Sequence, residues 1–235
     1  MTGTLSAPPL YRNEKEDPRT LDPGASDRLL AGAPWRRFAV IGDSVAAGVG
    51  EDVDGYGSGG WADRIAGALE SANGTLGYLN LGRRGLRLAE VREQQLARAL
   101  AFEPDLAAVA CGGNDVLRRD FDPDEFTRAF TDLVSEFTRR GVTVITVGVF
   151  DISRAGFLPA RLSALLGRKV RTFSERTAGV AAELGAVHVS LTWLDAAEDP
   201  SIWSEDRLHV NGRGNAIAAA VAIRELASHL ETAAR

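Results

Sequence analysis

Residues 38–50, FAVIGDSVAAGVG, change character partway along. Phe38, Ala39, Val40 and Ile41 are apolar without interruption, and Gly42-Asp43-Ser44 follows at once. An unbroken apolar run ending in glycine reads as a strand covered on both faces, the kind that belongs to a parallel sheet. Four more such runs stand at 77–81, 106–111, 142–149 and 187–191. Helical patterns fill the intervals at 61–71, 88–101, 123–140, 170–184 and 212–230. Asp122-Pro123 pairs an N-cap with proline at the first helical position, and Gly141 and Gly185 stand where helices stop. Regular alternation of strand and helix predicts right-handed crossovers and a doubly wound α/β sheet. In such sheets, sites form beyond the carboxyl ends of the strands. Ser44 follows the first strand and Asn114 the third, so both fall on that edge. The glycine-rich segment 48–60 and much of 150–169 read as loops.

The remainder of the chain narrows the possibilities. Its 235 residues suit one large domain, with 45% apolar and 25% charged residues, an ordinary soluble composition. Net charge is −5, from 32 acidic and 27 basic residues, and no basic block suggests a track for nucleic acid. The single cysteine, Cys111, rules out an internal disulfide framework. No stretch is long and apolar enough for a transmembrane helix. Residues 1–34 carry five prolines and no apolar signal core, so they read as an N-terminal arm, part-disordered, with a short helix near 26–31. The domain proper then runs from 35 to 235, and the expected location is the cytoplasm.

Four short stretches hold the reactive side chains: Gly42-Asp43-Ser44, NLGRRG at 80–85, GGND at 112–115 and DRLH at 206–209. A serine hydroxyl needs a base to become a nucleophile. Three histidines are present. His229 falls in the last amphipathic helix and His188 within a short strand, where surface and core roles suffice. His209 follows Asp206 by three residues, a spacing that brings side chains to about 5–6 Å at Cβ in a helical turn. A carboxylate so placed accepts from Nδ1 and leaves Nε2 free to take a proton. Acyl transfer also needs donors for the developing oxyanion. The N–H groups of Ser44 and Gly85 and the Asn114 amide are candidates, although an asparagine at a strand end also serves as a turn residue.

In order and spacing these four stretches resemble the SGNH hydrolases, the GDSL-type esterases and lipases, from residue 36 to about 230. The resemblance implies a three-layer α/β/α sandwich with a five-stranded parallel sheet, flavodoxin-like in topology. It implies Ser44 as nucleophile, His209 as base, Asp206 as orienting acid, and Ser44, Gly85 and Asn114 as oxyanion donors. It calls for no metal or other cofactor, and its substrate is a small-molecule ester. Val45 and Val210 replace the leucine and proline common in the family, and Arg83 and Arg84 beside Gly85 are unusual, either biasing the mouth toward acidic substrates or forming solvated ion pairs. Trp61, Phe150 and Phe157 are expected to line the substrate pocket, although Trp61 also reads as a core anchor of the first long helix, with 150–169 as an acyl-binding wall or lid and Trp203 steadying the loop that carries Asp206.

Other readings use the same residues. Transfer of the acyl group to an alcohol or amine, or removal of acetyl groups from a carbohydrate, needs the same constellation. A flavodoxin-like domain that only binds ligands needs none of it. Residues 55–60 fit G-x-G-x-x-G but begin more than ten residues past Ile41, and strand two ends on Asn80 where a dinucleotide fold has an acid.

Overall fold

The computed structural model describes residues 11–233. Five strands form one sheet: β1 (Arg37–Gly42), β2 (Gly77–Asn80), β3 (Leu106–Ala110), β4 (Thr143–Gly148) and β5 (Val187–Ser190). All neighbours are parallel, in the order β2-β1-β3-β4-β5. Each strand matches an apolar run within about two residues at either end.

Because successive side chains alternate between faces, each strand feeds two cores. Phe38, Val40, Leu106, Ala108, Ile145 and Val189 point to one side. There they meet α1 (Pro23–Leu30), α2 (Trp61–Asn73) and α7 (Gly212–Ala233). Ala39, Ile41, Ala107, Val109 and Val144 point to the other, against α3 (Leu88–Ala101), α5 (Pro123–Thr138) and α6 (Ala160–Leu184). The result is the three-layer α/β/α sandwich. Phe130 and Phe137 of α5 are fully covered in the second core, each stabilising it by about 1.5–3 kcal/mol. As expected, Asp122 caps α5, accepting from the N–H groups of Asp124 and Glu125.

Two elements depart from the sequence reading. A four-residue helix, α4 (Gly113–Val116), follows β3. α6 begins at Ala160 rather than near 170, so the second half of 150–169 is helix, not loop. Leu162 and Leu165 in its first turns stay about half exposed, and Pro159 and Gly167 at either end of this stretch are the residues that make it read as loop. The N-terminal segment packs onto the sandwich from residue 11, with Leu30 and Ala33 inside the first core. Its helix is α1, and residues 1–10 of the expected arm lie outside the described residues.

Candidate active site

The site is built from the end of β1 outward. Gly42 has φ +148°, and a Cβ there would collide with the carbonyl of Ala110, so only glycine lets β1 and β3 lie this close. Buried Gln95 of α3 bonds both backbone groups of Gly42, donating to its carbonyl (2.9 Å) and accepting from its N–H (2.7 Å). Asp43 then makes a side-chain turn, accepting from the Val45 N–H at 2.9 Å, and this turn carries Ser44. Burial pushes the Asp43 carboxyl up to about 6, with Asp115 adding to the rise while N–H groups of Val45, Gly112 and Gly113 oppose it.

His209 Nε2 lies 2.8 Å from Ser44 Oγ, and His209 Nδ1 lies 2.7 Å from Asp206 Oδ2. The other oxygen of Asp206 accepts from the N–H groups of Leu208 and His209, both at 3.0 Å. Partial burial works against the Asp206 charge, yet these donors and the His209 ring hold its carboxyl well below the usual range. The loop carrying both residues is closed at its base: Ser204 N–H donates to His209 carbonyl and Asn211 N–H to Ile202 carbonyl, each at 2.8 Å. Trp203 sits in that closure, paired with Val210, and donates from Nε1 to Ala197 carbonyl.

The third segment is the turn after β2. Arg83 N–H donates to Gly42 carbonyl at 3.1 Å, and Asn80 donates to Ala46 carbonyl at 2.9 Å. Asn114, in α4, donates to the carbonyl of Leu86 at 2.9 Å, which leaves its second amide hydrogen free. Gly85 is therefore bracketed by bonds to β1 and to Asn114. Among the described residues, the N–H groups of Ser44 and Gly85 donate to no protein acceptor. Arg84 reaches across to Asp206 Oδ2 at 3.0 Å, the same oxygen that faces His209. Arg83 is exposed and makes no ion pair among the described residues.

Two small apolar cavities adjoin Ser44 and His209. One, about 70 Å³, is walled by Val49, Trp61, Phe150, Leu191 and Trp203. The other, about 90 Å³, lies toward Asn114 and is walled by Leu117, Phe150, Ile152 and Leu166. Trp61 also anchors the fold, donating from Nε1 to Val45 carbonyl and from its backbone to Asn215. Phe150 meets both cavities. Phe157 is absent from both walls and packs edge-on against Trp203, itself a wall residue, with Arg207 above its ring. Gly85 also stands outside both walls, in an exposed turn. His188 bonds Thr146 at 2.9 Å, and burial lowers its pKa. Neither it nor His229 borders a cavity.

Residues that sequence reasoning passed over surround the site. Arg213, in the first turn of α7, is fully buried and ion-paired to Asp17 at 2.7 Å and Asp199 at 2.6 Å. Tyr56 donates to the same oxygen of Asp17. These bonds tie the N-terminal segment and the loop 48–60 to the base of the His209 loop. In sequence Arg213 looks like any cation near a helix start, and Gln95 like any polar residue on α3.

Comparison with known proteins agrees with this architecture. No curated protein matches the chain. Among solved structures, an α/β hydrolase enzyme, LAE5, from a lake metagenome superposes with a TM-score of 0.66 at 21% identity, covering 85% of this chain and 97% of its own. A lipase/acylhydrolase from Enterococcus faecalis gives 0.63 at 19%, covering 82% and 96%. The acetylxylan esterase Axe2 from Geobacillus stearothermophilus gives 0.61 at 22%, covering 83% and 94%. The profile of the GDSL-like lipase/acylhydrolase family matches residues 40–217, from the middle of β1 into α7. With about three quarters of its length inside that match, this chain belongs to the GDSL-like lipase/acylhydrolase family.

Proposed function

We propose that this chain is a serine esterase that cleaves carboxylic esters through an acyl-serine intermediate. The observation that carries the reading is the hydrogen-bonded line from Ser44 Oγ through the His209 ring to Asp206, at 2.8 and 2.7 Å. Ser44 Oγ attacks the ester carbonyl as its proton passes to His209 Nε2. Asp206 holds the ring and stabilises the imidazolium. The oxyanion rests on the N–H groups of Ser44 and Gly85 and the free amide hydrogen of Asn114, each such donor contributing about 2.7–4 kcal/mol. His209 then returns the proton to the leaving alcohol and activates water for the second half. The 70 Å³ cavity beneath Trp61 and Trp203 has room for a short acyl group, so acetyl to butyryl esters are the favoured substrates. The composition and the single cysteine favour the cytoplasm as the place of work.

A panel of esters graded in acyl length, with acetylated sugars alongside, tests this reading. Ser44→Ala and His209→Ala should each lower turnover by about 10³–10⁶-fold. A fluorophosphonate probe should label Ser44 in the native chain and not in Ser44→Ala. Near-native turnover in His209→Ala would remove the assigned base, and absence of labelling would leave only a binding domain.

A further inference from the structure

Among the described residues, the exposed large hydrophobic side chains are Leu117, Leu162, Leu165, Trp193 and Leu208. All five follow the carboxyl ends of the strands, on the edge that holds Ser44. Leu117 and Leu208 are cavity walls that also face solvent, each more than two-fifths exposed. Leu162 and Leu165 lie just before Leu166, another wall residue, in the first turns of α6. Apolar side chains scattered singly over a surface need no explanation, but clustering at one mouth does.

One side of this mouth, around the start of α6, is cationic in an acidic protein, while the loops 43–60 and 191–202 on the other side hold seven acids and no base. The bordering segments 83–87, 116–122, 158–171 and 203–209 hold ten arginines and lysines against four acids, in a chain with 27 and 32 overall. Arg83, Arg119, Arg161, Arg168 and Arg207 are exposed and form no ion pair among the described residues. Arg161, Leu162, Leu165 and Arg168 share one face of α6, at the three- and four-residue spacing of a helix stripe.

We propose that this face docks on an anionic lipid bilayer, with the leucines entering the interfacial region and the arginines meeting lipid phosphates. Interfacial binding needs this pairing of apolar side chains with flanking arginines or lysines. No described helix is long and apolar enough to cross a membrane, so the contact lies on the surface. A second copy of this chain fits the patch worse, because a two-fold contact sets one cationic face against another. The proposal is independent of the reaction assigned to Ser44.

Flotation of the full chain with vesicles tests it, using phosphatidylcholine alone and phosphatidylcholine mixed with phosphatidylglycerol, at low and high salt. The chain should float with the mixed vesicles at low salt, weakly with phosphatidylcholine alone, and be released by salt. Each arginine near an anionic surface is worth about fivefold, so the double variant Arg161→Gln/Arg168→Gln should bind about 25-fold more weakly. Leu162→Ser/Leu165→Ser should lose at least about tenfold. Both variants should melt within a few degrees of the native chain by circular dichroism, which confirms folding. Failure to float with the mixed vesicles overturns the proposal, as does unchanged flotation of the leucine variant. A dimer in sedimentation that the leucine variant dissolves also overturns it, by making the face a contact between copies.

Discussion

Replacing Asp17 by alanine tests how far the N-terminal segment belongs to the folded unit. Its carboxylate oxygen lies 2.7 Å from Arg213 Nε and accepts from the Tyr56 hydroxyl at 3.0 Å, and neither the Asp17 nor the Arg213 side chain is exposed. Removing one partner of a buried ion pair costs about 3–5 kcal/mol, because the remaining charge is left uncompensated. Here Asp199 still faces the guanidinium at 2.6 Å, so the expected cost is at the lower end, about 3 kcal/mol. In a domain of this size each kcal/mol lowers Tm by about 2–4 °C, which predicts a fall of about 6–12 °C for Asp17→Ala. Asp17→Asn keeps an oxygen for both donors and loses only the charge, so it should fall less. Calorimetry at neutral pH measures both. If Asp17→Ala melts within about 2 °C of the native chain, the segment is not held as described and Arg213 does not depend on it.

Four further outcomes follow from the site. The Asp43 pKa is raised to about 6 from an ordinary 3.8, so the folded chain keeps a proton that the unfolded chain has lost between these values. Its stabilising effect is complete below about pH 4 and is lost as pH rises through about 6, an effect on the order of 2–3 kcal/mol. Asp43→Asn should therefore gain stability relative to the native chain between pH 4 and 7 in urea titrations, and a constant difference would contradict the burial argument. Gln95→Ala leaves the Gly42 N–H buried without a partner, while its carbonyl keeps the Arg83 N–H, and unfolding free energy should drop by about 1–3 kcal/mol. Arg84→Gln breaks an exposed pair, so kcat/KM should change by no more than about fivefold, and less in high salt; a hundredfold loss would give Arg84 a larger role. Asp206→Ala should cost turnover less than His209→Ala does, because the ring keeps its contact with Ser44 even when nothing orients Nδ1.

What was legible follows from the range of the interactions involved. Each strand announces itself within a handful of neighbouring residues, because burial on both faces forces an unbroken apolar run. The Asp122 cap and the Asp206–His209 turn are equally local, spanning two or three residues. Family likeness covered one longer step, the approach of His209 to Ser44 across 165 positions. Beyond that, distance in sequence hides the partners. Arg213 meets Asp17 across 196 positions and Gln95 meets Gly42 across 53, and nothing near either residue signals its burial. Phe157 shows the same limit: an aromatic residue after strand four suits a pocket wall or its support equally well, and its contact with Trp203 is not written in the residues around it.

Charge shows the same limit at a larger scale. Read along the chain, no block of basic residues stands out and the total is negative, which argues against a polyanion track only if the chain's order matches its surface. It does not at the mouth. Arg83 comes from the turn after β2, Arg119 from the segment after α4, Arg161 and Arg168 from α6, and Arg207 from the loop before α7. A parallel sheet delivers the carboxyl end of every strand to one edge, so it gathers residues contributed a few at a time by loops far apart in sequence. Electrostatic attraction depends on the field that the gathered charges make within a Debye length, about 8–10 Å in ordinary salt, and hardly on net charge summed over the molecule. For a fold of this class, the charge relevant to a partner is therefore the charge that the segments on one side of the mouth make together, and beside the start of α6 that charge is positive in an acidic protein.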